Sequence, residues 1–101
     1  MAEVDGKVVG FLVGHESRDT PDEVLRARGA TKAGSIETLA VDAEFRRRGI
    51  ATALLNRVFD LFRQTEVDYV SLAVPAEEEG ARRLYEKLGF RERAYFLSRK
   101  L

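Results

Sequence analysis

A mixed α/β (α+β) fold, with a mainly antiparallel sheet and two main helices packed on it, is what this sequence of 101 residues predicts. Three observations predict it. Asp5-Gly6 sits between apolar flanks and is a hairpin signal. Apolar residues recur at helical spacing in two segments, near 48–64 and 77–88. Short runs rich in β-branched and aromatic residues flank both of them.

The elements follow in order. Ala2-Glu3-Val4 is the stub of one strand, and Lys7 to Gly14 is the next. Thr20-Pro21-Asp22-Glu23 has the form of a helix start, with Thr as cap and Pro at the first helical position. Gly29 suits the stop, so a short helix is expected over 21–28, with an ordered loop as the alternative. Ser35 to Val41 reads as a strand. Residues 48–64 read as a helix whose apolar stripe is Ile50, Leu54, Leu55, Val58, Leu61 and Phe62. Val67 to Val74 is a strand closed by Pro75. Glu77 to Leu88 is the second long helix, and Gly89 ends it. A last strand is expected within 90–101, centred on Ala94 to Ser98. Hairpins followed by helical crossovers imply a mixed sheet.

Length and composition point to one domain with a modest core. Charged residues are 34% and hydrophobic ones 45%, and the formal net charge is zero, so no global field draws in nucleic acid or a membrane. The absence of cysteine excludes disulfides, thiolate metal sites and a cysteine nucleophile. With one histidine and no ligand spacing, no metal is expected. No apolar run reaches the length of a membrane span, and the N-terminus lacks a signal pattern, so a cytoplasmic protein is expected.

The segment from Leu39 to Thr52 carries the most information. An apolar strand end, Leu39-Ala40-Val41, runs into a turn, then Arg46-Arg47-Arg48-Gly49-Ile50-Ala51-Thr52 opens the first long helix. Backbone N–H groups at a helix start favour a phosphate or pyrophosphate. Gly49 has no Cβ and lets a ligand approach, and the three arginines offer planar donors to phosphate oxygens. The spacing matches neither a Walker loop nor a dinucleotide fingerprint. A solvated basic turn or a nucleic-acid patch is the alternative, but no aromatic residues interleave for base stacking.

Arg46-x-x-Gly49-x-Ala51 resembles the [QR]-x-x-G-x-[GA] signature of the GCN5-related N-acetyltransferases. The preceding Leu39-Ala40-Val41 resembles that family's strand-end triplet. Leu84-Tyr85-Glu86-Lys87-Leu88-Gly89-Phe90 resembles its L-Y-x-x-x-G-F helix end. The resemblance covers roughly residues 4 to 101 as a single domain. It implies a truncated acyl-CoA N-acyltransferase fold, because the family's usual N-terminal strand and two helices, which help form the acceptor pocket, have no counterpart here. An uncovered sheet face would follow, so a homodimer, or a covering role for residues 16–34, is expected.

The resemblance also implies acetyl-CoA as acyl donor and a primary amine as acceptor, joined by direct attack. Leu39, Ala40 and Val41 would pair with the pantetheine arm as if it were a strand. Backbone groups from Arg47 to Thr52 would hold the pyrophosphate, and Val41 N–H would face the developing oxyanion. Tyr85 matches a tyrosine that protonates the leaving thiolate, the alternative being a core tyrosine. Ala73 stands where some family members place a glutamate base. Glu37 stands where the polyamine acetyltransferases place an acid, four residues before the triplet's valine; a solvent-facing strand residue is the alternative. His15 reads as a surface residue. Glu78 replaces a frequent cofactor-contacting Asn, and that contact is not carried over. A non-catalytic acyl-CoA sensor or interaction module on the same fold is the rival reading.

Overall fold

In the computed structural model the described residues are 2–4, 7–46 and 48–101, with those at 2–4, 7 and 45 described by their backbone alone. The Asp5-Gly6 turn lies outside the described residues. Their elements are β1 (Ala2–Val4), β2 (Lys7–Ser17), α1 (Asp22–Ala27), β3 (Ala33–Val41), a 3-10 turn (Ala43–Phe45), α2 (Ile50–Gln64), β4 (Tyr69–Leu72) and α3 (Glu79–Lys87). The four strands lie in sequence order in one sheet. β1 with β2 and β2 with β3 are antiparallel, whereas β3 with β4 is parallel. A parallel neighbour needs a long crossover, and α2 supplies it. The expected mixed, mainly antiparallel sheet is therefore present.

One face of the sheet packs on α2. Leu55 is fully buried and Phe62 nearly so, and they cluster with Ile36 and Val67. Gly14 and Gly34 turn bare backbone toward this helix. A Cβ on Gly34 would lie 2.9 Å from Cε1 and Cζ of Phe62. The other face is covered at one end by α1, whose Leu25 clusters with Ala30, Ala33 and Tyr69. Residues 16–34 thus do cover part of the sheet. Phe11 and Val13 on β2 remain 41% and 44% exposed.

Several boundaries differ from expectation for local reasons. Pro21 sits at the N-cap of α1 instead of inside it, without a side-chain cap, and Thr20 faces Ser17 across 3.4 Å. Gly29, at φ +69, follows the helix as expected. Val67 closes α2 through its N–H to Phe62 O (2.9 Å) and points into the core, so β4 begins only at Tyr69. The expected strand at 94–98 is absent: residues 91–101 carry no regular secondary structure, and Tyr95 and Phe96 are 81% and 95% exposed. The strand propensity of Ala94 to Ser98 describes fit to a pleated surface, not a partner. What holds this segment is polar instead. Arg82 pairs with Glu92 at 3.0 Å, and the Tyr95 hydroxyl donates to Glu92 at 3.4 Å.

Candidate active site

The link from β3 to α2 is built from backbone contacts. Asp42 N–H donates to Val9 O (2.7 Å), which ties the end of β3 to β2. Arg46 Nε donates back to Val41 O across the turn (3.3 Å). Gly49 caps α2 in the left-handed region, φ 76 and ψ 9, with no side-chain cap and no acidic residue in the first turn. The N-cap carbonyl accepts the first helical bond, Ala53 N–H to Gly49 O, 2.9 Å. The N–H groups of Ile50, Ala51 and Thr52 precede it and have no partner within the helix. A helix of 15 residues places the positive end of its dipole at this point, where a natural start would carry a Ser, Asp or Glu. Arg46 and Arg48 flank it at the surface. Arg47 lies outside the described residues.

Beside this helix start the sheet opens. β3 and β4 pair only from Ala33↔Tyr69 to Ile36↔Leu72. Past Ile36, β3 continues to Val41 against β2 alone among the described residues. Because Asp42 N–H points to β2, strand alternation directs the Ala40 backbone to β2 as well. It turns the N–H and C=O of Leu39 and Val41 to the open edge. The Arg46 bond to Val41 O comes from that side. An extended ligand with an anionic end fits these residues: hydrogen-bonding groups along the edge, then uncapped amides with arginines beside them.

Tyr85 lies on α3, half-buried against the Ile36, Leu55, Phe62 and Val67 cluster. Its ring meets Phe90 edge-on, centroids 5.7 Å apart. Its hydroxyl makes no hydrogen bond among the described residues. Burial pushes the phenol above its ordinary pKa, so it keeps its proton at neutral pH. Packing and a hydroxyl with no hydrogen bond among the described residues thus coexist in one side chain.

Glu37 is exposed at the point where β4 leaves. Val13 pairs with Thr38 and Gly14 with Ile36, so Glu37 is the extra, bulged residue of β3. Its Oε1 lies 2.8 Å from His15 Nε2, and His15 Nδ1 lies 3.0 Å from Glu16 O. The Glu16 carbonyl first, and then Glu37, raise the His15 pKa above its ordinary value. Sequence reasoning treated the two residues separately, because it ended β2 at Gly14. The signal lay in pairing β2 onward past Gly14 and allowing one bulge in β3. Ala73 is exposed just beyond β4, and Glu78 is the N-cap residue of α3, also exposed. Among the described residues no cluster of His, Cys, Asp or Glu is arranged to hold a metal, and no helix is long and apolar enough to cross a membrane.

A sheet that opens beside an uncapped helix start behind an arginine-flanked glycine defines an acyl-CoA N-acyltransferase type of fold. The chain belongs to the acetyltransferase (GNAT) family, whose sequence profile matches residues 1–90. It is 33% identical over 93 residues to the N-alpha-acetyltransferase of Sulfurisphaera tokodaii, covering 91% of this chain and 55% of that protein. A ribosomal-protein-alanine N-acetyltransferase from Brucella melitensis superposes with a TM-score of 0.73 at 27% identity, covering 98% of this chain and 67% of that one. A chain of the NatC complex bound to Gag peptide and CoA gives a TM-score of 0.71 at 27% identity, covering 85% and 49%. The chain spans only part of the curated relatives it matches, for example 37% of one from Xenopus tropicalis and 55% of the Sulfurisphaera protein.

Proposed function

We propose that this chain binds acetyl-CoA and moves its acetyl group to a primary amine by direct attack. The observation that carries the reading is the separation of β4 from β3 after Ile36↔Leu72 beside the uncapped start of α2 at Gly49. Leu39, Ala40 and Val41 present the strand that lines the pantetheine arm, with Leu39 and Val41 supplying its edge. Arg46, Arg47, Arg48, Gly49, Ile50, Ala51 and Thr52 hold the pyrophosphate through main-chain amides and guanidinium groups. The Val41 N–H stabilises negative charge on the thioester oxygen. Glu37 accepts a proton from the amine, and Tyr85 donates one to the departing thiolate.

Isothermal titration with CoA at near-physiological salt, followed by thiol release from acetyl-CoA with a panel of primary amines, tests this. CoA uptake with amine-dependent release is expected, and no uptake by folded protein removes the proposal. The rival reading, an acyl-CoA sensor, draws on Ala73, which leaves the position just after β4 without an acid. Tight CoA uptake without thiol release on any amine would select it.

A further inference from the structure

We propose that His15 and Glu37 act as one proton-sharing unit, with the imidazole relaying to solvent the proton that the acceptor ammonium gives up. The proposal rests on the transferase reading above, and it adds a residue from a second strand. Its basis is the hydrogen-bond bookkeeping around the imidazole. The Glu16 carbonyl can only accept, so His15 Nδ1, 3.0 Å away, carries a hydrogen. In neutral imidazole the other nitrogen then has a lone pair, and it faces Glu37 Oε1 across 2.8 Å. Two lone pairs at that distance repel. One proton between Nε2 and Oε1 relieves this, whether written as imidazolium with carboxylate or imidazole with carboxylic acid. The empty pair is therefore a better proton acceptor than a lone exposed glutamate.

The position suits the task. Glu37 is the bulged residue of β3, where β4 departs and two residues before the open edge begins at Leu39. His15 lies across the ladder on β2. Gly14 and Gly34 face α2, so alternation sets His15 on the opposite face, clear of that helix. Both side chains are about half exposed, at 48% and 58%, which leaves the unit open to substrate on one side and to water on the other. The charged groups facing the imidazole are Glu37 from β3 and Asp19 from the loop after β2, and Glu16 contributes through its backbone carbonyl. The Glu16 carboxylate pairs with Lys32 instead, 3.5 Å away.

The step balances as follows. The acceptor R–NH3+ gives one proton to the pair and becomes R–NH2. Its nitrogen attacks the thioester carbonyl carbon, the N–C bond forms and the C–S bond breaks. The nitrogen's second proton leaves as the amide forms and, by way of solvent, replaces the proton that Tyr85 gives to the thiolate. One proton is released in total, and it leaves through His15.

The single histidine makes the test direct. Imidazole resonances are titrated by NMR in the full chain and in Glu37→Gln. The expected His15 pKa is above 6.5 in the parent and at least half a unit lower in the variant; equal values overturn the unit. The kcat–pH profile is then measured with acetyl-CoA and the best amine of a panel holding an alkylamine, spermidine, kanamycin and a short peptide. The parent's rising limb is expected to coincide with the His15 titration. His15→Gln takes the imidazole out of the pair, so the limb no longer follows an imidazole titration and moves toward acid. Turnover at neutral pH drops about 10²-fold while the KM for acetyl-CoA is retained within about twofold. A limb and turnover unchanged in His15→Gln overturn the relay and leave the transferase reading standing. No thiol release from the parent with any amine removes both.

Discussion

Ile36 and Leu72 are the last residues that β3 and β4 bring side by side. Everything assigned to acyl-donor binding lies past that pair, where one side of β3 is unmatched. If the Leu39 and Val41 amides receive a strand-like ligand, their hydrogen exchange slows at least tenfold on adding saturating CoA. Ala40 N–H, already turned to β2, changes far less. Residue-resolved exchange by NMR checks this, and uniform protection of all three would argue for general stabilisation instead.

Gly49 and Gly29 both sit in the left-handed region, at φ +76 and φ +69, with nothing within 4 Å of an added Cβ. Alanine at either position therefore meets backbone strain of about 1 kcal/mol and little steric clash. Only Gly49 stands at the proposed pyrophosphate cradle. Gly49→Ala is expected to lose about tenfold or more in CoA affinity, and Gly29→Ala to keep it while losing similar stability. Calorimetry paired with urea unfolding separates the two effects.

The contact between Gly34 and Phe62 sets how closely α2 approaches the sheet. A methyl group on Gly34 would also fall 3.0 Å from Val67 Cγ1. Gly34→Ala is therefore expected to cost about 1–3 kcal/mol by overpacking. Phe62→Leu in the same chain should restore part of that loss, a coupling measurable by a double-mutant cycle in urea.

Much of the fold was legible because periodicity states it. The stripe from Ile50 to Phe62 located α2, and its Leu55 and Phe62 are buried as expected. The loop signature located the helix start, because a glycine at φ +76 and an uncapped first turn are local properties. The strand at 94–98 was misread for the opposite reason. Alternation and propensity at Ala94 to Ser98 are local, whereas pairing depends on an edge elsewhere in the chain. The meeting of His15 with Glu37 went unread on similar grounds, since it depends on β2 running past Gly14 and on a register shift between Val13 and Gly14.

Asp68 clasps the entry to β3. Its carboxylate accepts from Thr31 N–H (3.0 Å and 3.1 Å), Lys32 N–H (2.9 Å) and the Thr31 hydroxyl (3.1 Å). The Lys32 and Thr31 amides hold its pKa below the ordinary carboxylate value. A depressed folded-state pKa gives stability that is present above the unfolded value of about 3.9 and lost as pH falls through the folded value. Asp68→Asn should thus lower Tm at pH 7, and its gap from the parent should narrow as both are acidified. Thermal melts by circular dichroism at pH 7 and pH 3 check it, and a constant gap would count against the clasp.

Tyr85 combines an edge-on contact to Phe90 with a hydroxyl that has no hydrogen bond among the described residues. Removing only the hydroxyl therefore leaves the packing intact, and Tyr85→Phe should melt near the parent. If the phenol protonates the thiolate, the same change lowers kcat about tenfold or more and leaves the KM for acetyl-CoA within about twofold, because the interaction arises only as the C–S bond breaks. Burial raises the phenol pKa, so the donor form is present across the neutral range, and the loss should be the same at pH 6.5 and pH 8. Tyr85→Ala separates the two roles, because it also removes the ring and should destabilise by about 2–4 kcal/mol. Equal turnover in Tyr85→Phe and the parent would leave this residue as packing alone.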